Sequence, residues 1–378
     1  MSKVIKEILM EPITLYGAAF SLYTGRARSY LIKANIPYTE EPHSSSYFYD
    51  VVLPKAGGRR GIPTIEFPDG SVIRDGVAII DHYENLSGGI YSPTTPKQKT
   101  LSLLFDVIGA EGMLRPCMHY RFNQGEEEGE FLTFHFSTVY PEKDGAKNRI
   151  AFIKNEVLPA WGVRPNTKEL IETMHNKTLK MLNAHFSQYP YLFGSKPSIG
   201  DFGMIAPLYG HLGRDPVPLS LMQREAPRLF RWVERMNRSE PDIGEFLDKS
   251  CTYLVNDEVP KTLIEVLRHF AIDFIPETNA AHQCINEWLD ENKDLPSGTE
   301  AERAVGNCEF EVSGIKIDSV AQPFRFYLLK RLQDTYDGLS EKDKGDVFHL
   351  LEDCHMHQVL DFRLSRNMGR KNNLEVWL

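Results

Sequence analysis

The segment GIPTIEFPDGSVIRDGVAIIDHYE, residues 61–84, decides how the first part of the chain folds. Apolar residues recur over residues 64–67 and 71–74, and Asp69-Gly70 between these two runs is a typical hairpin turn. Asp75 follows the second run and can cap a helix that begins with the apolar residues after it. The segment therefore predicts two antiparallel strands and a helix opened by Asp75.

A strand, helix, strand unit precedes this hairpin. Residues 13–16 are a short apolar run, residues 24–34 carry apolar side chains at helical spacing, and residues 37–40 return to an extended pattern. Two strands joined through a helix, then a hairpin, then a helix are the element order of a thioredoxin-like domain. We expect this domain to end near Ser87.

Two signals farther along the chain complete the pattern. Ser198-Ile-Gly-Asp201 precedes an apolar run and forms a capping box, in which the Asp carboxylate reaches back to the amide of the cap residue. Pro227 and Trp232 then lie near the start and inside a later helix. In this order the segments resemble the cytosolic glutathione transferase family, with the spacing of its zeta and theta branches.

The resemblance covers residues 13–241 and implies the domain organisation. Residues 1–90 would form an α/β thioredoxin-like amino-terminal domain that binds glutathione, and residues 95–241 an all-α glutathione transferase carboxy-terminal domain that holds the second substrate. The family pattern does not account for residues 242–378, which we predict to be a mostly α extension. The resemblance also implies glutathione as cosubstrate, a small electrophilic molecule as second substrate, and a homodimer.

Composition excludes several other classes of protein. The formal net charge of the 378 residues is -9, so the chain lacks the basic character of a nucleic-acid-binding protein. The five cysteines form no CxxC pair, which favours a reducing compartment over a disulfide framework. The amino terminus does not have the pattern of a secretory signal, and no apolar run is long enough to span a membrane. We therefore expect a cytoplasmic protein with no nucleic-acid or membrane partner.

Hydroxyl groups stand before the first predicted helix, in FSLYTGRAR, residues 20–28. A thiol must ionise to attack an electrophile, and a hydroxyl at a helix amino terminus can stabilise the thiolate by donating a hydrogen bond in a positive field. The resemblance places Ser21 where serine-type members have their activating serine, and Tyr23 is the second candidate. The alternative is that Ser21 or Thr24 only caps the helix.

The resemblance assigns the remaining glutathione contacts to two places. Pro63 would follow a cis peptide bond, so that the backbone of Ile62 pairs with the cysteinyl unit of the ligand. Asp75 would hold the amino group of the ligand at the start of a helix, which also attracts a carboxylate. Family members generally have a serine at the next position, where this chain has Gly76. That change removes a hydrogen bond to a charged group, worth about 1 to 3 kcal/mol.

A basic cluster is the third candidate for ligand binding. Lys55, Arg59 and Arg60 could meet the glycyl carboxylate of glutathione and offset the missing serine. A solvated loop explains the same residues, and the sequence leaves both interpretations open.

The helical domain gives weaker indications. Residues 100–122 predict one long helix, on which Asp106, Glu111 and Arg115 are candidates for the second-substrate pocket, although a solvated helix face also explains them. The acidic run at residues 126–128 predicts an exposed loop.

The extension contains enough apolar residues to fold, as a third domain or as a buttress of the helical domain. Its pattern predicts helices over residues 260–274, 279–292, 324–336 and 342–364, and a strand pair around Gly314. His349, Asp353 and His357 would share one helix face, but i to i+8 spans about 12 Å along a helix, too far for one ion. We therefore predict no metal site.

Three functional hypotheses follow. The first is a glutathione transferase-like enzyme that activates the thiol and adds it to an electrophile, or uses it for cleavage or isomerisation. The second is a catalytically silent binding or partner-docking protein, for which Gly76 and the extension are the indications. The third, a thiol-disulfide reductase, is disfavoured because no cysteine precedes Cys117.

Overall fold

The amino-terminal sheet has four strands in the order β2-β1-β3-β4. The computed structural model describes residues 12–124 and 129–378. Strand β1 (Ile13–Gly17) pairs in parallel with β2 (Tyr38–Pro42) and antiparallel with β3 (Thr64–Glu66). Strand β4 (Val72–Arg74) completes the hairpin with β3. The predicted element order is confirmed, with boundaries shifted by one or two residues.

Helices α1 (Leu22–Lys33) and α2 (Gly76–Ser87) accompany this sheet and begin at the predicted caps, Ser21 and Asp75. Their apolar sides join the strands in one core, in which Leu15 and Ile65 are fully buried beside helical residues. Because both helices start at the same end of the sheet, their amino termini lie near each other and face the cavity described below. This region is thioredoxin-like, as predicted.

The second region is helical. Its helices are α3 (Pro96–Val107), α4 (Leu114–Phe122), α5 (Gly129–Ser137), α6 (Gly145–Phe152), α7 (Lys168–His185), α8 (Ile199–Gly210), α9 (Pro216–Glu225) and α10 (Pro227–Met236). The prediction of one helix over residues 100–122 is wrong, since a π-helical turn, Ile108–Gly112, separates α3 from α4. The acidic run at residues 126–128 lies outside the described residues.

The π-helical turn lies where α8 crosses α3 at backbone contact distance. A Cβ on Gly109 would lie 2.2 Å from the carbonyl oxygen of Gly203, and a Cβ on Gly203 would lie 2.4 Å from the Cα of Asp106. No side chain fits at either position, so two glycines allow the crossing. Long-range packing of this kind decides the interruption of the helix, and it leaves little trace in the local periodicity.

The predicted capping box of α8 is present. The Asp201 carboxylate accepts hydrogen bonds from the Ser198 amide at 2.8 Å and from the Trp232 indole at 3.0 Å. Burial raises the pKa of the Asp201 carboxyl to about 6, against the effect of these hydrogen bonds. The box therefore joins the start of α8 to α10 as well as capping it.

The extension contains three helices and two small sheets. Its elements are α11 (Lys261–Glu291), β5 (Thr299–Glu300), β6 (Gly306–Val312), β7 (Ile315–Ala321), α12 (Pro323–Asp337), α13 (Glu341–Asp353), β8 (Met368–Lys371) and β9 (Leu374–Trp377). The strands form one sheet in the order β5-β9-β8 and the hairpin β6-β7. That hairpin confirms the strand pair predicted around Gly314. Shorter helical turns in the extension are Val255–Asp257 and His357–Leu360, and those in the two preceding regions are Phe48–Val52, Leu53–Lys55, Ile153–Val157, Leu158–Ala160 and Pro165–Thr167.

Two helix predictions in the extension are wrong. Helix α11 is continuous across Pro276, where the sequence predicts a break, because Phe274, Glu277 and Ala281 on both sides of the proline are buried against other elements. The helix predicted to reach residue 364 ends at Asp353, and His355 has a positive φ of 58°. His349 and His357 therefore do not share a helix face.

Buried and partly buried ion pairs join the extension to both family domains. Arg331 of α12 reaches Asp106 of α3 at 2.8 Å and Asp81 of α2 at 2.5 Å. In the helical domain, Arg115 of α4 meets Glu277 of α11 at 2.7 Å. Such contacts occur on two sides, so the extension packs against both domains.

Within the described residues, no helix is both long and apolar enough to cross a membrane.

Candidate functional site

A cavity of about 820 Å³ opens where the two family domains and the extension meet. The amino-terminal domain contributes the loop before α1, the loop before β3 and the start of α2, and the helical domain contributes α4, α5 and α6. The extension closes the remaining side with residues 301–303, 322, 324, 368 and 375. Seven predicted site residues from segments far apart in sequence lie together in this wall: Ser21, Tyr23, Arg59, Arg60, Ile62, Asp75 and Glu111.

Ser21 caps α1 and lies in the cavity wall. Its hydroxyl oxygen accepts a hydrogen bond from the Thr24 amide at 3.3 Å, so Ser21 does cap the helix, as the alternative interpretation states. The cap uses only a lone pair of the oxygen, and the hydroxyl proton remains available to a ligand. The amides of Leu22 and Tyr23 in the same first turn donate to no described residue.

Tyr23 lies two residues after Ser21, in the first turn of α1, and also lines the cavity. Burial raises the pKa of its phenol well above the usual value, and the nearby carboxylates of Glu111 and Asp75 raise it further. The phenol is therefore protonated at neutral pH and can donate a hydrogen bond but cannot act as a base.

The loop before β3 presents free backbone groups to the cavity. The Ile62–Pro63 peptide bond is cis, as the resemblance implies. The Pro63 carbonyl accepts from the Asp75 amide at 2.9 Å, which ties this loop to the start of α2. The amide and carbonyl of Ile62 bond to no described residue, so they are available for strand-like pairing with a peptide ligand.

Asp75 lies in the same wall as the cap of α2, and Gly76 follows it as the first residue of the helix. Asp75 has a positive φ of 85°, and its carboxylate accepts from the Val77 amide at 2.8 Å. The Gly76 amide donates to no described residue. A Cβ on Gly76 would come no closer than 3.4 Å to its nearest neighbour, the Tyr23 carbonyl oxygen. The missing serine would therefore fit here.

The predicted basic cluster is divided. Lys55 is exposed, lies outside the cavity wall and donates to the Gly70 carbonyl at 2.7 Å. Arg59 and Arg60 lie in the wall, where Arg59 pairs with Glu300 of the extension and Arg60 donates to the Tyr49 hydroxyl. The structure thus keeps two of the three cations at the site and turns Lys55 towards the hairpin.

Among the three acidic and basic candidates of the long helix, only Glu111 faces the cavity. Asp106 pairs with Arg26 and Arg331, and Arg115 is held by Asp273 and Glu277. The Glu111 carboxyl is 4% exposed and forms no hydrogen bond or ion pair with a described residue.

Burial raises the pKa of the Glu111 carboxyl to about 7. Arg325 acts in the opposite direction, whereas Glu277 and Asp75 add to the increase. The residue stands in the π-helical turn, and such turns often occur at functional sites. Glu111 can therefore exchange a proton near neutral pH at the inner end of the cavity.

Sequence reasoning missed the residues that close the cavity. Arg149 on α6 lies over the rings of Tyr140 and Phe152, and Arg303 in the extension donates to the Arg60 carbonyl. No local sequence pattern ties position 303 to position 60, so the sequence alone does not indicate this contact. Within the described residues, no cluster of three or more His, Cys, Asp or Glu could hold a metal ion.

Comparison with known families gives two matches. Residues 15–90 match the model of the glutathione S-transferase N-terminal domain, and residues 164–240 match that of the C-terminal domain. The chain therefore contains matches to both domains of a glutathione S-transferase. Both matches end before residue 241, so neither includes the extension. The zeta or theta branch stays a prediction.

Three solved structures are similar to part of this chain at low sequence identity. A theta class enzyme of Xanthomonas axonopodis pv. citri, with glutathione bound, is 17% identical over 64% of this chain and 100% of its own, with a TM-score of 0.37. A glutathione S-transferase of Ceriporiopsis subvermispora in complex with glutathione is 18% identical over 59% and 96%, at 0.42. The beta-etherase LigF of Sphingobium is 17% identical over 62% and 97%, at 0.41. No curated protein matches the sequence.

Proposed function

We propose that the chain binds reduced glutathione in the cavity and uses its thiolate to attack a small electrophilic molecule. One observation carries this proposal. The same wall holds Ser21 at the start of α1, the unpaired backbone of Ile62, and Asp75, which caps α2 immediately before Gly76. A peptide that carries a thiol, an amino group and carboxylates has a matching group for each of these places.

The two ends of the wall would hold the ends of the peptide. Asp75 has a carboxylate oxygen beyond the one that caps α2, and it can accept from the amino group of the ligand. The free Gly76 amide and the positive end of α2 would receive the neighbouring carboxylate. Arg59 and Arg60 would meet the glycyl carboxylate at the opposite end.

Ser21 would stabilise the thiolate between these ends. The hydroxyl donates its proton to the sulfur, while the free amides of Leu22 and Tyr23 and the α1 dipole lower the free energy of the anion. Tyr23 is the second candidate for the donor, since its phenol stays protonated at neutral pH.

Glu111 would act as the general base and then the general acid of the reaction. In an addition, its carboxylate takes the thiol proton as the thiolate forms, the carbon–sulfur bond forms, and the carboxyl then returns the proton to the atom that became negative. A pKa near 7 suits both transfers.

Calorimetric titration with reduced glutathione tests the proposal, together with the ultraviolet thiolate absorbance of wild type and Ser21→Ala. We expect saturable binding and a thiolate band at neutral pH that Ser21→Ala removes. The absence of binding at millimolar glutathione would support the silent binding protein instead, for which Gly76 is the structural indication. A thiol-disulfide reductase has no support, since no cysteine lines the cavity among the described residues.

We also propose a homodimer and a cytoplasmic location, both as implied by the sequence. Helices α12 and α13 cover one side of α3, and Arg331 binds Asp81 of α2. A second copy must therefore dock on a different surface, and sedimentation equilibrium would show whether it does. The five cysteines are free, in keeping with a reducing compartment.

A further inference from the structure

The outer end of the cavity carries more positive charge than its own carboxylates neutralise. Five arginines line this end: Arg59, Arg60, Arg74, Arg149 and Arg303. The carboxylates near them are Glu300, Glu302 and Glu375. Such an excess of like charge in a partly enclosed space attracts an anionic ligand.

The carboxylates are not shared evenly among these arginines. Glu375 binds Arg74 at 3.1 Å and also Arg370 at 2.5 Å, while Glu300 pairs with Arg59. Glu302 accepts from the Trp377 indole at 3.1 Å.

Three arginines are left without an acidic partner among the described residues: Arg60, Arg149 and Arg303. Arg60 lies over the ring of Tyr49, at 4.7 Å, and Arg149 over that of Phe152, at 5.1 Å. Arg303 is exposed at the rim; partial desolvation and the neighbouring charges of Arg59, Arg74 and Arg149 lower its pKa, whereas Glu300 acts in the opposite direction. A carboxylate bound here would relieve that repulsion.

Aromatic side chains stand beside these cations. Phe136, Tyr140, Phe152 and Trp161 of the helical domain line the cavity, and Phe324 of the extension faces them. Their rings suit a flat apolar body, whereas a planar guanidinium suits a carboxylate. The wall can therefore bind a molecule that has both an aromatic ring and a carboxylate.

We propose that the electrophile of this protein is an aromatic carboxylate, whose ring packs against the aromatic wall and whose acid group binds Arg149 and Arg303. This inference rests on the proposed function and names the substrate class of its site. Because Arg303 belongs to the extension, residues beyond the family domains would set the specificity. Glutathione itself would occupy Arg59 and Arg60.

A matched pair of substrates tests the inference. One is dinitrobenzoate with chlorine para to the carboxylate, and the other is the corresponding neutral amide. With either, glutathione sulfur forms a bond to the ring carbon, chloride leaves with the electrons of its bond, and the thiol proton passes to solvent. We expect kcat/KM to be about 10 to 100 times higher for the acid, because a hydrogen bond to a charged group changes an affinity by about that factor.

Arg149→Gln and Arg303→Gln should each reduce this preference about tenfold by raising KM for the acid, with little change for the amide. Arg224→Gln is the control, because Arg224 is exposed on α9 and donates to Ser220 outside the cavity. Added salt should weaken the preference in wild type. Thermal unfolding of each variant would separate loss of binding from loss of fold.

Three results would overturn the inference: equal kcat/KM for acid and amide in wild type, a preference that survives both variants, or variants that weaken glutathione instead. If neither compound reacts, the proposed function fails, and the binding of the anion is then measured without a reaction. Calorimetry with dinitrobenzoate and dinitrobenzamide, both without chlorine, should still show tighter binding of the acid that Arg303→Gln abolishes.

Discussion

The two sides of the cavity are built in different ways. On the amino-terminal side, Ile62, Asp75 and Gly76 come from one hairpin and the helix that follows it, so neighbours in space are close in sequence. On the extension side, Arg303, Phe324 and Glu375 come from three separate segments that meet only through packing. The first side follows the family pattern and the second departs from it, which suggests that chemistry and specificity are carried by different parts of the chain.

The largest effect is expected where the two sides are joined. Glu375 is 5% exposed and holds Arg74 of β4 and Arg370 of β8. Glu375→Ala would leave the buried Arg74 and the partly buried Arg370 without a carboxylate and should lower the free energy of unfolding by about 3 to 5 kcal/mol. Denaturant titration measures this loss, and hydrogen exchange should show β8 and β9 opening first.

Glu309→Ala is the control for that variant, since Glu309 pairs with Lys316 on the exposed hairpin. Its free energy of unfolding should hardly change. Equal losses of unfolding free energy in the two variants would contradict the conclusion that the ion pairs of Glu375 join the two sides.

The next effect concerns Glu111. Because its folded pKa is raised to about 7, the stabilisation it gives is complete below the unfolded value and disappears as the pH rises through 7. Glu111→Gln should therefore match wild type in acid and become more stable by about 3 kcal/mol above neutral pH. Urea unfolding over a pH series measures the difference.

The same variant should lose the limb of the pH-rate profile near pH 7. Glu169→Gln, on the exposed side of α7, is the control for both readouts and should follow wild type throughout. A stability difference between wild type and Glu111→Gln that is independent of pH would contradict the raised pKa.

A smaller effect should follow from restoring the family residue at position 76. Gly76→Ser fits without a close contact and adds a hydroxyl donor beside the free amide. We expect the dissociation constant of glutathione to fall about tenfold, as for one added hydrogen bond to a charged group. Gly76→Ala, measured in the same calorimetric titration, should bring no gain; an equal gain would show that the hydroxyl is not the cause.

The smallest effect on stability is expected at two helix caps, one in the amino-terminal domain and one in the extension. Ser21 caps α1 and Ser340 caps α13, and each accepts from an amide three residues on, at 3.3 and 3.2 Å. Replacement of either serine by alanine should cost about 1 kcal/mol of stability. Only Ser21→Ala should also abolish the thiolate absorbance of bound glutathione. Equal thiolate bands in the two variants would make Ser21 a cap alone and direct attention to Tyr23.

Local signals account for what could be predicted of the fold. The hairpin turn at Asp69-Gly70, the caps at Ser21 and Asp75 and the capping box at Ser198 each depend on residues within a few positions of one another. The errors lie where distant contacts override the local pattern. Gly109 meets Gly203 and α3 is interrupted, whereas Pro276 is held inside α11 by buried neighbours.

The same division applies to the candidate site. Ser21, Ile62 and Asp75 were found because they stand at fixed offsets in segments that resemble a known family, and the structure places them in one wall. Lys55 was grouped with Arg59 and Arg60 by sequence proximity alone, and it points elsewhere. Glu111 was one of three equal candidates until burial distinguished it from Asp106 and Arg115.

The sequence by itself determined the order of elements, the caps that begin the helices and the family that residues 13–241 resemble. Those properties follow from backbone preferences and hydrogen bonds between near neighbours. Only the tertiary structure decided that residues 301–375 close the cavity, and that Arg149 and Arg303 face it without an acidic partner among the described residues. Burial and unpaired charge are properties of the space between segments, and that space exists only after the chain has folded.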